Sequence, residues 1–465
     1  MSEAFLGGRV VVHAGDAREV LRGLEAAGFD ACVTDPPYAL TSAKAGGSGV
    51  ASVSDTPAGR SRIGTGNGAG GFMGQKWDTG ATAFDPVFWA EVLRVLKPGA
   101  HLVAFGGTRT YHRLASAIED AGFEVRDQFA WVFGSGFPKS LDVSKAIDKA
   151  AGAERAVVGV RPGHEDFVHR TDAHSAGARR EGWDRPWKAD PDKVLAHHLA
   201  TASATAAARE WEGWGTAVKP GWEPIVLARK PLSEATVAAN VLRWGTGALN
   251  IDGCRVAGGG NPWVRLVAHE PRPRMGNCYA QDTWTREQME LGRNEVGNST
   301  GRWPANLLHD GSEEVLAGFP ETAARHDGMT DYAYERRNNI FGADRRSHNT
   351  FGFGDSGSAA RFFYCAKADA GDRCGSKHPT VKPVDLMAWL VRLVTRKGGL
   401  VLDPFAGSGT TGEAAMREGC RAVLIEREAA YLDDIRRRMD LVLAGPDERR
   451  RALAKLRGAA ADDAG

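Results

Sequence analysis

Two hydrophobic periods alternate along most of the chain. Short apolar runs that stop at an acid or a glycine read as buried strands, and stretches with apolar residues three and four apart read as helices packed on them. "GRVVVHAGD" predicts a strand ending at Asp16, "AREVLRGLEAAG" a helix closed by Gly28, and "FDACVTDPPY" the next strand. The stretch 41–77 has no period and is rich in Gly and Ser, so a long loop follows the third of these elements. Order resumes with helix "DPVFWAEVLRVLKPG", which has Pro86 near its first turn and Gly99 after its end, then strand "AHLVAFG", helix "TYHRLASAIEDAG" and strand "FEVRDQFAWVFG".

The middle of the chain is less regular. Residues 151–215 are rich in Ala, Arg and His with weak helical signal and read as an insertion, 216–235 contain one buried strand in "WEPIVLARKPL", and 236–375 read as a loop-rich region. Periodicity returns at 376–445. "VKPVDLMAWLVRLVTRKGG" sets Leu386, Leu390, Leu393 and Val394 on one helical face, and "LVLDPFAG", "TGEAAMREG", "RAVLIE" and "AAYLDDIRRRMDLVL" follow as strand, helix, strand, helix. A charged, Ala-rich tail occupies 446–465. Strands alternating with helices at both ends predict an α/β fold with a doubly wound, mostly parallel sheet.

Composition narrows the classes. At 465 residues, 42% hydrophobic and 25% charged, the chain can bury a core, and no apolar run reaches the ~18 residues of a membrane span. The first residues lack a basic segment followed by an apolar core, so the expected location is cytoplasmic. A net charge of +1 neither requires nor excludes a polyanion. Arginines nevertheless cluster with His, Asn and aromatic residues in "RTDAHSAGARREGW", "HEPRPRMGN" and "YERRNNIFGADRRSH", a composition suited to phosphate contact and base stacking. Six cysteines without a C-x-x-C pair fit reduced thiols, and the irregular spacing of Cys365, Cys374 and His378 gives no metal site.

The chemistry concentrates in two stretches. "LVLDPFAGSGTTGEAA" joins a strand, an aspartate, a Gly-rich turn and a helix start, where open amides attract an anionic ligand group. Gly407, Gly409 and Gly412 also satisfy G-x-G-x-x-G with Glu426 at the end of the next strand, so a nicotinamide-dependent oxidoreductase is a rival reading. The other stretch, "VTDPPY", ends a strand with an acid, two prolines and an aromatic ring.

"TDPPY", then "HPTVKP", then "DPFAGSGTT", in that order, resemble the DNA amino-methyltransferases that use S-adenosylmethionine, in the circularly permuted group where the catalytic element precedes the cofactor turn. The strings "GFMGQKWD", "WEPIVLARK" and "GRWPANLLHD" are similar to those of phage-type members. The resemblance implies a seven-stranded Rossmann-like methyltransferase sheet, with the catalytic half in 1–150, the cofactor half in 376–445 and target recognition in 236–375. It implies a catalytic role for Asp35, Pro36, Pro37 and Tyr38: Asp35 and the Pro36 carbonyl would hold the two hydrogens of the target amine, Pro37 would stiffen the turn, and Tyr38 would stack on the extruded base. For S-adenosylmethionine it implies that Asp403, Phe405, Gly407, Ser408, Gly409 and Thr410 cradle the methionine and sulfonium end. Glu426 would take the ribose, Asp16 the adenine side, and Thr380 with Lys382 the carboxylate. Asp16 reads equally as a helix N-cap.

The implied activity is transfer of a methyl group to N6 of adenine in double-stranded DNA, since Asp heads D-P-P-Y where Ser would lean toward cytosine N4. Cytosine N4, an RNA amine and a non-catalytic nucleic-acid-binding subunit stay open, as do a homodimer and a restriction endonuclease partner. The 41–77 loop reads either as a lid that closes over the extruded base or, equally, as plain disorder.

Overall fold

A computed structural model of the chain describes residues 2–39, 81–134, 136, 140–161, 198–256, 301–322, 356–366, 370–376, 378, 380–445, 448–449, 451–452 and 454. The loop expected over 41–77 lies outside the described residues, as do the three Arg-rich clusters.

The N-terminal elements are β1 (Ser2–Phe5), β2 (Val10–Ala14), α1 (Ala17–Gly23), β3 (Phe29–Thr34), α2 (Pro86–Val95), β4 (Leu96–Phe105), α3 (Tyr111–Asp120) and β5 (Glu124–Val132). Next come α4 (Val143–Ala150), β6 (Val157–Val160), β7 (Leu199–Thr201) and α5 (Ala206–Glu210), then β8 (Trp222–Arg229) and α6 (Val237–Trp244). Short elements follow: β9 (Leu307–His309), α7 (Glu313–Ala317), β10 (Glu321–Thr322), β11 (Gly357–Ser358) and β12 (Tyr364–Cys365). The last block is α8 (Val384–Val394), β13 (Leu400–Asp403), α9 (Thr410–Arg417), β14 (Arg421–Glu426) and α10 (Ala429–Leu441).

One sheet carries the fold, in the order β1-β2-β14-β13-β3-β4-β8-β5-β9-β12. From β2 to β4 all neighbours are parallel, and β8 runs antiparallel between β4 and β5. β3 is buried at all six positions because both faces are covered; its buried Asp30 is paired with Lys97 and the Leu400 amide, and the other positions are apolar or small. On one face Val10, Val12, Ala31, Val33, Val103 and Phe105 pack with α8, α9 and α10; on the other Cys32, Leu102, Ala104, Leu402 and Val423 pack with α1, α2 and α3. The α/β, doubly wound and mostly parallel architecture is therefore present.

The sheet is wider than the seven strands implied by the resemblance. β2, β14, β13, β3, β4, β8 and β5 make up seven, and β1, β9 and β12 extend it to ten. Stretches of two to four residues are too short to show a period, so these strands are invisible to pattern reading. The 236–375 region is accordingly tied into the sheet, through β9 parallel to β5 and β12 parallel to β9. The 151–215 region holds a two-stranded antiparallel ladder, β6 with β7, beside α5. In the C-terminal tail Arg449 donates to Glu413 at 2.6 Å, so that part of the tail is docked.

Chain direction fixes where a ligand can bind. From β13 the chain crosses through α9 to β14 on one side, and from β3 it crosses toward β4 on the other. Between β13 and β3 the winding reverses, and in a doubly wound sheet the crevice outside the carboxyl ends at such a switch point is where ligands bind. Both motif stretches sit at that edge.

Trp389 of α8 pins this region from behind. Its ring meets Phe129 edge-on at 5.9 Å and stacks on Tyr364 at 5.3 Å, and its indole N–H donates to the Cys254 carbonyl at 3.3 Å. Trp389→Ala is expected to destabilise the fold by about 3–5 kcal/mol, read as a lower urea midpoint at unchanged slope. A midpoint equal to wild type would contradict this packing.

Candidate active site

β3 ends at Thr34, and the residues after it leave the sheet because Pro36 and Pro37 have no N–H to continue a ladder. The loop is anchored where it turns: Thr110, at the start of α3, donates to the Tyr38 carbonyl at 2.9 Å, and Ala39 adopts φ +50°. Asp35, Tyr38, Glu223 and Lys382 converge beyond the strand ends. The Lys382 ammonium lies 2.9 Å from Asp35 Oδ2, 3.0 Å from Glu223 Oε2 and 3.0 Å from the Tyr38 hydroxyl. That hydroxyl in turn donates to Glu223 Oε2 at 3.2 Å. Lys382 has three N–H bonds and three acceptors, so no donor is left over. It also sits 4.8 Å from the Phe105 ring centroid and 5.2 Å from that of Tyr38.

Burial alone would push the Lys382 amine down, but the carboxylates of Asp35 and Glu223 outweigh it and the net displacement is upward. Burial, with the same two carboxylates, holds the Tyr38 phenol well above its ordinary range, so it stays protonated. Asp35 Oδ1 is buried and has no hydrogen-bond partner among the described residues. A buried acceptor left unpaired costs about 1–3 kcal/mol, and here it stands beside the crevice.

The Gly-rich turn lies on the neighbouring strand. Asp403 closes β13 with both oxygens engaged: Oδ1 accepts from the Thr34 hydroxyl at 2.6 Å and the Phe405 amide at 3.0 Å, and Oδ2 from the Thr411 hydroxyl at 2.5 Å. Burial lifts its carboxyl to about 6 against the pull of these bonds. Gly407 and Gly409 have φ of +51° and +77°, and a Cβ on Gly407 would approach His378 Nε2 to 3.3 Å. His378, buried, meets Tyr431 edge-on at 4.5 Å, so "HPTVKP" is laid against the turn. Its imidazole is pushed down, by burial chiefly, with the Asp35 charge opposing. Thr380 binds the same ring through its backbone.

Behind the turn a charged network holds it. The fully buried Arg438 donates to the Ser408 carbonyl at 2.7 Å and to Glu413 Oε2 at 2.6 Å. The Ser408 and Thr410 hydroxyls are 3.3 Å apart. Glu426, at the end of β14, accepts from Gly407 N at 2.7 Å on Oε2 and from the amides of Arg427 and Glu428 at 2.8 Å on Oε1. Burial raises its carboxyl to about 7 despite these three bonds. Asp16 caps α1 by accepting from Arg18 N at 2.9 Å, and its other oxygen faces Arg427 at 4.0 Å.

The residues singled out in the sequence therefore lie in a row along the carboxyl ends of β2, β14, β13 and β3. Register places Ala14 beside Glu426 and Asp403 beside Leu424, so Asp16, Glu426, the turn and Asp35 follow one another across the sheet. Phe405 faces the other way, 5.1 Å from Phe88. Lys382 is found on Asp35, with no N–H remaining for a cofactor carboxylate. Sequence reading missed Glu223, Thr110 and Arg438, whose importance comes only from what the fold brings beside them. The one signal for Glu223 was the string "WEPIVLARK", noted without a role for its acid.

The mostly parallel sheet, with both motif stretches at its carboxyl edge, defines a doubly wound α/β protein. The chain belongs to the N6/N4 DNA methylase family, whose profile matches residues 203–437, half of the chain. It is 42% identical over 69 residues to the type II methyltransferase M2.DpnII of Streptococcus pneumoniae and 40% identical over 67 residues to M2.MboI of Moraxella bovis. These stretches cover 15% and 14% of this chain and span only about a quarter of the relatives' own length, 26% and 24%. Among solved structures, the cytosine-N4-specific PvuII DNA methyltransferase aligns at TM-score 0.39 and 13% identity over 97% of this chain and 93% of that one. A putative DNA modification methylase of Thermus thermophilus, TTHA0409, complexed with S-adenosyl-L-methionine, aligns at 0.35 and 16% over 93% and 96%. TM-scores this low carry no argument about the site.

The raised Glu426 carboxyl has a thermodynamic sign. The native state holds its proton up to about pH 7 while the unfolded chain releases it near the ordinary value, so ionising it costs native stability as pH rises through that window. Glu426→Gln cannot ionise. Its stability relative to wild type is expected to improve by about 1–3 kcal/mol between pH 5 and pH 8, on top of a pH-independent loss from broken amide bonds. Urea melts of both proteins at the two pH values measure this, and parallel curves would refute it.

Proposed function

We propose that the protein is an S-adenosylmethionine-dependent methyltransferase acting on the N6 amine of adenine in double-stranded DNA, in the cytoplasm. What carries the reading is Asp35, just past the end of β3: one carboxylate oxygen is fixed by Lys382 and the other is buried and unpaired among the described residues. An amine N–H is the donor it lacks.

The exocyclic amine of a base is a poor nucleophile because its lone pair is delocalised into the ring. Asp35 Oδ1 and the Pro36 carbonyl would each accept one amine hydrogen, drawing the nitrogen toward tetrahedral and freeing the lone pair. The two prolines hold the carbonyl direction rigid. Tyr38, its hydroxyl anchored at Glu223 and Lys382, offers a ring face for a base drawn out of the duplex. Positioning and electrostatics then suffice: as the N–C bond forms the S–C bond breaks to leave a neutral thioether, and the nitrogen becomes a cation acidic enough to give a proton to water.

The remaining residues fit the cofactor. S-adenosylmethionine supplies an electrophilic methyl on a sulfonium cation. Glycines at the turn leave room where a Cβ would reach His378, the start of α9 presents open amides, and Glu426 and Asp16 end the adjoining strands as acceptors. Asp403, with both oxygens spent on the protein, shapes the turn. Ser408, Gly409 and Thr410 would line the methionine end and Thr380 its carboxylate. Adenine is favoured over cytosine because an Asp heads D-P-P-Y. The stretch 236–375 would read the DNA sequence.

The test is to express wild type and Asp35→Ala in a host free of DNA methylation and quantify methylated nucleosides by mass spectrometry. N6-methyladenine is expected with wild type, at least about 100-fold less with the variant, and calorimetric S-adenosylmethionine affinity should stay within a few-fold. N4-methylcytosine instead would reassign the base, and equal methylation by both proteins would end the proposal.

A further inference from the structure

We propose that Lys382 and Glu223 form a positioning pair for the reaction: Lys382 is the charge partner that fixes Asp35 and Tyr38, and Glu223 fixes Lys382. The inference rests on the methyltransferase reading and assigns two residues a part in it that neither motif gives them.

Donor counting carries the argument. All three Lys382 N–H bonds end on Asp35, Glu223 and Tyr38, and the Lys382 side chain is only 6% exposed. A buried ammonium in that state is a fixed strut, because leaving any one acceptor would expose an uncompensated charge. The strut takes Asp35 Oδ2 and leaves Oδ1 as the oxygen without a partner among the described residues, the one an amine would use. Glu223 closes the figure by accepting from both Lys382 and Tyr38. Glu223 comes from β8, the antiparallel strand, so the sheet sets its position independently of the catalytic loop. With Lys382 ionised, two carboxylates and one ammonium leave a formal charge of −1. That sign suits a sulfonium and an amine that gains positive character as the methyl arrives.

The ionisable groups around Asp35 are Tyr38 on its own loop, Glu223 on β8, Lys382 and His378 on the segment before α8, and Asp403 at the end of β13. His378 and Asp403 both respond to the Asp35 charge. Removing the one ammonium leaves Asp35 and Glu223 side by side without a cation, and like charges resist ionising together.

Three variants test this: Lys382→Met, Glu223→Gln and the double substitution. Lys382→Met is expected to lower kcat about 30-fold or more, move the acid limb of the kcat profile up by roughly a pH unit or more, and leave calorimetric S-adenosylmethionine affinity within about threefold. Adding Glu223→Gln should bring the limb back down, which a merely structural role would not do. Glu223→Gln alone, nearly isosteric, should lower kcat about tenfold at near-wild-type melting temperature, which keeps the test open if Lys382→Met folds poorly. If Lys382→Met weakens cofactor binding about tenfold with the limb unmoved, Lys382 is a cofactor ligand and the inference falls. It falls equally if Glu223→Gln turns over like wild type. Should wild type methylate no DNA, the functional reading fails separately. Carboxyl-carbon NMR titration of the DNA-free proteins then still decides the pairing, by whether one carboxyl in Lys382→Met titrates higher than in wild type and returns in the double variant.

Discussion

The hydrogen bond from the Thr34 hydroxyl to Asp403 Oδ1, 2.6 Å long and buried, joins residues 369 apart in the chain. It ties the end of β3 to the end of β13 at the place where the winding of the sheet reverses. One residue beyond Thr34 stands Asp35; four beyond Asp403 stands Gly407. The distance between the candidate amine acceptor and the candidate cofactor turn is therefore set by this bond and by the two ladder pairs beneath it, Val401 with Ala31 and Leu402 with Cys32. Burying Asp403 has a cost, visible in a carboxyl lifted to about 6, and three donors on two oxygens offset it.

The turn is held from behind by the same logic with stronger charges. Arg438 and Glu413 are both fully buried and paired at 2.6 Å, and Arg417 and Arg449 bring further charge to Glu413. Burial would raise the Glu413 carboxyl, and Arg449 with Arg438 draws it below its ordinary value. Such a pair contributes little net stability once desolvation is counted. Its effect is directional: the guanidinium of Arg438 takes the Ser408 carbonyl, which leaves the turn one backbone path around the crevice.

The sequence was most legible where local chemistry and the fold demand the same thing. Apolar runs at Phe29–Thr34 and Leu400–Asp403, the glycines of the turn and the Pro-rich exit after Thr34 all announce their structure without tertiary context. Asp16 was readable as a cap, and the α1 N-terminus uses it so. Glu223 and Lys382 were not readable in their observed relation. Lys382 stood out only within "HPTVKP", as a cofactor ligand, and Glu223 only within "WEPIVLARK"; their pairing depends on where β8 lies in the sheet, a topological fact no single window contains. The edge strands β9 and β12 escaped for a simpler reason, having three and two residues.

The seam between β3 and β13 also governs the order of assembly. β3 has parallel neighbours on both sides, β4 from the N-terminal part and β13 from the C-terminal part. As the chain is synthesised, β3 can pair with β4 early, but its other edge stays open until β13 has emerged. A largely apolar strand with one bare edge invites pairing with other chains. Only the pairing of β2 with β14 spans more of the chain than this central seam, so its closure is among the slow steps of assembly. Substitutions at Thr34 or Asp403 would thus act on yield and aggregation during folding as well as on the finished crevice.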